Sequence, residues 1–77
     1  MAAEDFWNRK ARGLLKAELK RREVSYPQLA EKLQTMGLQE TTASITNKIS
    51  RGAFTAAFLL QWLEAIGCRT LRLEEPS

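Results

Sequence analysis

The sequence has 77 residues, a formal net charge of +3, no histidine and one cysteine, Cys68. A chain this short forms one domain with one small core. Its composition excludes histidine acid–base catalysis, a disulfide within one chain and the usual Cys/His zinc site. No segment approaches the roughly 20 apolar residues that span a bilayer, and no signal-peptide-like run follows the first residues. We expect one cytoplasmic domain over residues 1–77, with its core at about 5–73. We expect it to have no enzymatic activity, metal, cofactor, membrane contact or small-molecule substrate.

The first predicted helix runs from about Glu4 to Arg22. Apolar residues at three- and four-residue steps form one stripe along it: Trp7, Ala11, Leu14, Leu15 and Leu19. Basic residues recur on the opposite side: Arg9, Arg12, Lys16 and Lys20. We interpret the basic side as an ordinary solvated face, and membrane anchoring through Phe6 and Trp7 as a weaker alternative. Trp7 and Trp62 are both expected in the core.

Glu18 interrupts the apolar stripe of this helix. A buried carboxylate is costly unless it is paired, and Arg22 or Arg51 could pair with it. The alternative is that a frayed or rotated helix end leaves Glu18 in water. A catalytic role lacks a second carboxylate, a base or a nucleophile beside it.

The second predicted helix begins at a clear start signal. Ser25 and Gln28 fit a capping box, and Pro27 suits the first turn because its missing N–H is not needed there. Gly37 fits a left-handed helix end. The buried face of this helix consists of Leu29, Ala30 and Leu33.

The third predicted helix begins at Thr41 or Thr42 and ends at Arg51, with Ile45 and Ile49 facing inward. Its other positions are polar and, apart from the lysine, poor helix formers: Thr42, Ser44, Thr46, Asn47, Lys48 and Ser50. Weak helix formers on an exposed face often have another use, and the alternative is an ordinary solvated face with Thr41 and Thr42 as helix caps.

The fourth predicted helix begins after Thr55, a plausible N-cap, and ends before Gly67. It is apolar around most of its circumference through Phe58, Leu59, Leu60, Trp62, Leu63 and Ile66. Leu71 and Leu73 then alternate with polar residues, which predicts a short strand or extended arm, and Cys68 is expected to be buried. We expect a homodimer, because one small domain cannot cover such a helix. The predicted interface residues are Phe58, Leu60, Leu71 and Leu73.

Three motifs follow one another along the chain: a serine-capped Leu-Ala helix at 24–33, an Arg-Gly pair closing 45–52, and an apolar helix ending in glycine at 63–67. Over residues 19–66 this arrangement resembles the phage-repressor (lambda-repressor-like) helix-turn-helix family. Residues 7–73 also resemble a group of small uncharacterised bacterial proteins with the same layout. The fold class implied is all-α, a four-helix repressor-like domain with a short C-terminal extended arm or strand.

The chain departs from the repressor pattern in four ways, one of which is that Tyr26 occupies the position of a common phosphate-contacting glutamine. The interval from Leu29 to Ile45 is longer than in that family, and the interval from Ile45 to Gly52 is one residue longer. The positions of an ion pair found in many members are occupied by Leu19 and Ser50. The sequence therefore leaves two alternatives, one residue apart, for which side chains of the third helix face outward.

The resemblance implies a transcriptional regulator or accessory DNA-binding protein that binds double-stranded DNA as a homodimer, with the third helix in the major groove. The predicted DNA-binding residues are Tyr26, Gln28, Thr42, Ser44, Thr46, Asn47, Lys48 and Arg51. Asn47 suits adenine and Lys48 suits guanine, whereas Tyr26, Gln28 and Arg51 suit phosphate. The alternative is a protein–protein interaction module on the same scaffold without DNA binding. RNA binding has little beyond charge to support it.

Overall fold

The computed structural model describes residues 3–74 and contains four helices. They are α1 (Ala3–Arg21), α2 (Tyr26–Thr35), α3 (Thr42–Arg51) and α4 (Ala56–Ala65). Within these residues there is no strand, and the segment that carries Leu71 and Leu73 has no regular secondary structure. No helix in the described range is both long and apolar enough to cross a bilayer. The all-α class and the four predicted helices are confirmed.

Side chains near the helix starts satisfy backbone N–H groups that have no partner inside the helix. The Gln28 N–H donates to Ser25 Oγ (3.3 Å), and the Ser25 N–H donates to Gln28 Oε1 (2.8 Å), so the predicted capping box is confirmed. Thr41 and Ser44 form a second capping box at α3, which was not predicted. Thr55 caps α4 as expected. Local sequence thus fixes the starts of three helices.

The core lies where all four helices meet. Its buried residues are Leu15, Leu19, Leu29, Ala30, Leu33, Ile45, Ile49, Trp62, Leu63 and Cys68. Burying a leucine or isoleucine side chain stabilises a fold by roughly 1.5–3 kcal/mol, so this cluster supplies most of the driving force. Trp62 packs against the rings of Phe54 and Phe58, at centroid distances of 5.3 and 6.2 Å. The predictions that Trp62 and Cys68 are buried are confirmed.

The prediction for Trp7 is wrong, because its side chain is 60% exposed. With 19 residues, α1 is about 28 Å long, whereas α2, α3 and α4 have 10 residues each and are about 15 Å long. Near the start of α1, Trp7 lies outside the core and lines an open groove with Leu59 and Leu71. Trp7 contacts Phe6 there instead, with ring centroids 5.0 Å apart.

Glu18 is buried on α1, with 4% of its surface exposed. Its carboxylate accepts a hydrogen bond from Arg22 Nη1 and lies 3.4 Å from Arg21 Nη1. The Cys68 thiol lies 3.8 Å from Glu18 Oε1. Of the alternatives left open by the sequence, the buried pair with Arg22 is thus the one observed, whereas Arg51 is not a partner. The spacing of four residues places Arg22 one turn from Glu18, while Arg51 lies at the end of another helix.

Candidate nucleic-acid interface

The second and third helices form one packed unit. α2 contributes Leu29 and Leu33 to the core and α3 contributes Ile45 and Ile49, so the two helices share a buried face. Residues 36–41 connect them. Gln34, near the end of α2, donates a hydrogen bond from its Nε2 to the backbone carbonyl of Glu40 in this turn, at 3.0 Å. This bond links the end of α2 to the start of α3. The longer interval found in the sequence is therefore accommodated as an ordered turn.

The opposite side of α3 is polar and open to solvent. Thr42, Thr46, Asn47, Ser50 and Arg51 are exposed, and α3 contains no acidic residue. The Thr46 hydroxyl donates to the Thr42 carbonyl at 2.8 Å, a bond within the helix. Asn47 and Arg51 make no side-chain hydrogen bond or ion pair with any other described residue. They are four residues apart and so share one face of the helix, where both are available to a ligand.

Lys48 is placed differently from these neighbours. Its side chain is 28% exposed, and its Nζ donates to Glu40 Oε2 at 2.8 Å. The same nitrogen lies 3.6 Å from the centroid of the Phe58 ring, a cation–π contact. Lys48 therefore links the turn before α3 to α4 and is already engaged within the domain.

Glu40 completes this link and was not identified from the sequence. It is 5% exposed and accepts hydrogen bonds from Lys48 Nζ and from Ser44 Oγ (2.6 Å). Burial raises the pKa of Glu40, but the hydrogen bonds from Lys48 and Ser44 and the charge of Lys48 outweigh it, so the pKa is lowered overall. Glu40 lies before the N-cap Thr41 and outside the helix, so helical spacing gave no signal for its contact with Lys48.

The residues predicted to meet phosphate at the start of α2 are also partly engaged. Tyr26 is half-buried and packs against the core. Gln28 is exposed, but its side-chain oxygen is used in the capping box. Ser44, predicted on α3, is half-buried and bonded to Glu40 and Thr41. Of the predicted set, Thr42, Asn47 and Arg51 are therefore the residues that are exposed and whose side chains make no hydrogen bond or ion pair with another described residue.

Cationic side chains gather near the C-terminal end of α3. Arg12, on the basic side of α1, donates a hydrogen bond from its Nη1 to the Ser50 backbone carbonyl at 2.8 Å. This arginine is therefore not simply solvated. Lys48 and Arg51 line an open cleft together with Asn8 and the first turn of α4. Positively charged side chains are stabilised near the C-terminal end of a helix, where backbone carbonyls have no partner within the helix. Glu40 neutralises Lys48, so Arg12 and Arg51, which pair with no acid among the described residues, supply the positive charge at this end of α3 that suits an anion.

The predicted dimer residues do not form one patch. Phe58 is half-buried beneath Lys48 and beside Trp62. Leu60 is 66% exposed on α4. Leu71 and Leu73 instead share a groove with α1 and with Leu59 of α4.

These features define an all-helical domain of four helices with a polar, acid-free face on α3. The family described as "Domain of unknown function (DUF6471)" matches residues 7–71, and the chain belongs to this family. No curated protein and no solved structure matches the chain. The family description assigns no activity, so the function has to be inferred from the surface of the domain.

The Glu40–Lys48 pair predicts a dependence of stability on pH. The pKa of Glu40 is lowered in the folded state, whereas an unfolded glutamate has a pKa of about 4.3. Its ionised form therefore stabilises the fold fully at neutral pH. This contribution starts to decline as the pH falls below about 5, and it is lost once the pH is below the folded pKa.

We expect Glu40→Gln to lower the free energy of unfolding by about 1–3 kcal/mol at pH 7, because hydrogen bonds to a charged group are lost. The difference from the wild type should shrink as the pH falls from 6 to 3. Urea denaturation across this range, followed by circular dichroism, measures it. A difference that stays constant with pH would show that Glu40 is not an ionised partner of Lys48.

Proposed function

We propose that this domain binds double-stranded DNA, with the exposed face of α3 in the major groove. The observation that carries the proposal is the pair Asn47 and Arg51 on an exposed face that has no acidic residue. An amide side chain can bond adenine in two places, and an arginine can bond guanine or phosphate. The packing of α2 on α3, and the resemblance to the repressor helix-turn-helix family, support the same mode of docking.

The internal bonds divide the predicted contact residues into two groups. We propose that Asn47, with Thr42 and Thr46 beside it, meets base edges, whereas Arg51 meets phosphate. Lys48 supports the interface indirectly, because its bonds to Glu40 and Phe58 fix α3 against the rest of the domain. The role we propose is a bacterial transcriptional regulator or accessory DNA-binding protein.

A second candidate is a protein–protein interaction module on the same scaffold. The engagement of Lys48 favours it, because that bond removes one cation from the free surface of α3. The two functions differ in their response to salt. Binding to DNA releases counterions and weakens steeply as salt rises, whereas a largely apolar protein contact does not.

The DNA proposal predicts different results for two substitutions on α3. With a duplex selected from a random-sequence library, Asn47→Ala should weaken binding by about 1–3 kcal/mol and relax the preference at one base pair. Arg51→Ala should weaken binding to all duplexes alike, and the slope of log K against log salt should fall by about 0.9 for the lost phosphate contact. Fluorescence anisotropy at several salt concentrations measures both effects.

Arg72→Ala is the matched control, because Arg72 is also an exposed arginine but follows α4. It removes the same charge and should leave the salt slope nearly unchanged. If Arg51→Ala and Arg72→Ala have equal effects, binding reflects overall charge, and the proposed role of α3 is wrong.

A further inference from the structure

An apolar groove lies on the side of the domain formed by α1, α4 and the segment after α4. Its volume is about 210 Å³, and its apolar lining consists of Trp7, Ala11, Leu14, Leu59, Leu71 and Leu73. Lys10 is the charged residue in the described lining, and a lysine stem packs well against apolar surface. The groove uses no residue of α2 or α3, so it is separate from the proposed DNA-binding face.

Exposed aromatic rings stand at one edge of this groove. Trp7 is 60% exposed and Phe6 is 52% exposed, and the two rings contact each other edge to face. Leu73, which also lines the groove, is 66% exposed. A recess and projecting rings thus occur on the same surface. A twofold dimer needs this combination, because each copy must supply both shapes to the other.

The size of this surface also suits a dimer. Aromatic side chains have about 150–250 Å² of surface each, so the exposed parts of Phe6 and Trp7 leave roughly 200 Å² in water. A standard interface buries about 800 Å² on each partner, of which about two-thirds is apolar in homodimers. The two rings, Leu73 and the groove walls supply a large part of that apolar area. Soluble domains as small as this one often gain stability from such a partner.

We infer that the groove and the Phe6–Trp7 pair form a homodimer interface, in which the rings of one copy contact the groove of a second copy. This inference does not depend on DNA binding, because the two surfaces share no residues. It also relocates the predicted interface: Leu71 and Leu73 are retained, whereas Phe58 and Leu60 are not part of it. α3 stays exposed in both copies of such a dimer.

Two leucines provide a matched test. Leu73 and Leu60 are both 66% exposed, but Leu73 lines the groove and Leu60 does not. We expect Leu73→Asp to weaken dimerisation at least tenfold, and Leu60→Asp to change it less than twofold. Sedimentation equilibrium of the full chain over micromolar to millimolar concentrations measures the dissociation constants. Both substitutions are at exposed sites, so the circular dichroism spectra should remain those of the wild type.

A second measurement follows the two tryptophans directly. Trp62 is fully buried, so acrylamide quenching reports mainly on Trp7. Quenching should decrease as the protein concentration rises and Trp7 becomes covered. In Trp7→Ala, quenching should be weak at all concentrations and self-association should be lost.

Three results would overturn the inference. The wild type could remain monomeric up to millimolar concentration. Leu60→Asp could disrupt the dimer while Leu73→Asp does not, which would place the interface on α4. Alternatively, vesicles containing anionic lipid could protect Trp7 from acrylamide while the protein stays monomeric, which would identify a membrane surface as the partner.

Discussion

Gly52→Ala is expected to lower the free energy of unfolding by about 3 kcal/mol or more, through two additive effects. Gly52 ends α3 in the left-handed conformation, with φ of 67°, and a residue with a side chain loses roughly 1–2 kcal/mol there. A Cβ at this position would also lie 2.6 Å from the carbonyl oxygen of Asn8 in α1. Because that oxygen belongs to the backbone, it cannot rotate away. α1 would have to move away from α3, and such overpacking costs about 1–3 kcal/mol.

Gly37→Ala is the control for this prediction. Gly37 has φ of 85°, but a Cβ there meets no atom within 4 Å. Its substitution should therefore cost only the conformational part, about 1–2 kcal/mol. Urea denaturation of both variants gives the difference. If the two losses are equal, the contact between Gly52 and α1 does not constrain the domain.

Glu18→Ala is expected to lower the free energy of unfolding by about 3 kcal/mol, near the lower end of the range for a broken buried ion pair. The substitution removes a buried carboxylate that holds Arg22 and Arg21 and lies beside the Cys68 thiol. The two arginine side chains are 30% and 54% exposed. They can therefore turn to water when their partner is lost, which limits the penalty.

Glu18→Gln should be less destabilising, because it keeps the shape and can still accept a hydrogen bond from Arg22. Glu31→Ala removes an exposed glutamate of α2 and should change stability by less than about 0.5 kcal/mol. Thermal unfolding of the three variants checks this order. Equal melting temperatures for Glu18→Ala and the wild type would contradict the buried pair.

The features that were predictable from the sequence depend on residues close together in the chain. The capping box of Ser25 and Gln28, the N-cap Thr55 and the pairing of Glu18 with Arg22 all span four residues or fewer. Their geometry follows from the helix itself. The helix bounds were therefore correct to within one or two residues.

Other features depend on how the helices are arranged. Arg12 bonds a carbonyl 38 residues away, and the contact of Lys48 with Phe58 requires α3 and α4 to be packed. Trp7 follows the apolar period of α1, but its exposure depends on how α1 packs against α4 and the segment after α4. For the candidate site, helical period placed Asn47 and Arg51 on the open face. Only the packed structure shows that Lys48 is engaged.

The DNA-binding proposal is tested most directly by the wild-type protein and a pool of bacterial genomic fragments. Binding is measured by mobility shift at 50 and 200 mM salt. Lys48 is paired with Glu40, which leaves two cations without an acidic partner among the described residues near the end of α3, Arg12 and Arg51. We therefore expect binding at low salt, with log K falling against log salt with a slope of about −2 or steeper, since each neutralised phosphate contributes about 0.9. Absence of binding at 50 mM salt, or binding that does not change with salt, would contradict the proposal and favour a protein partner.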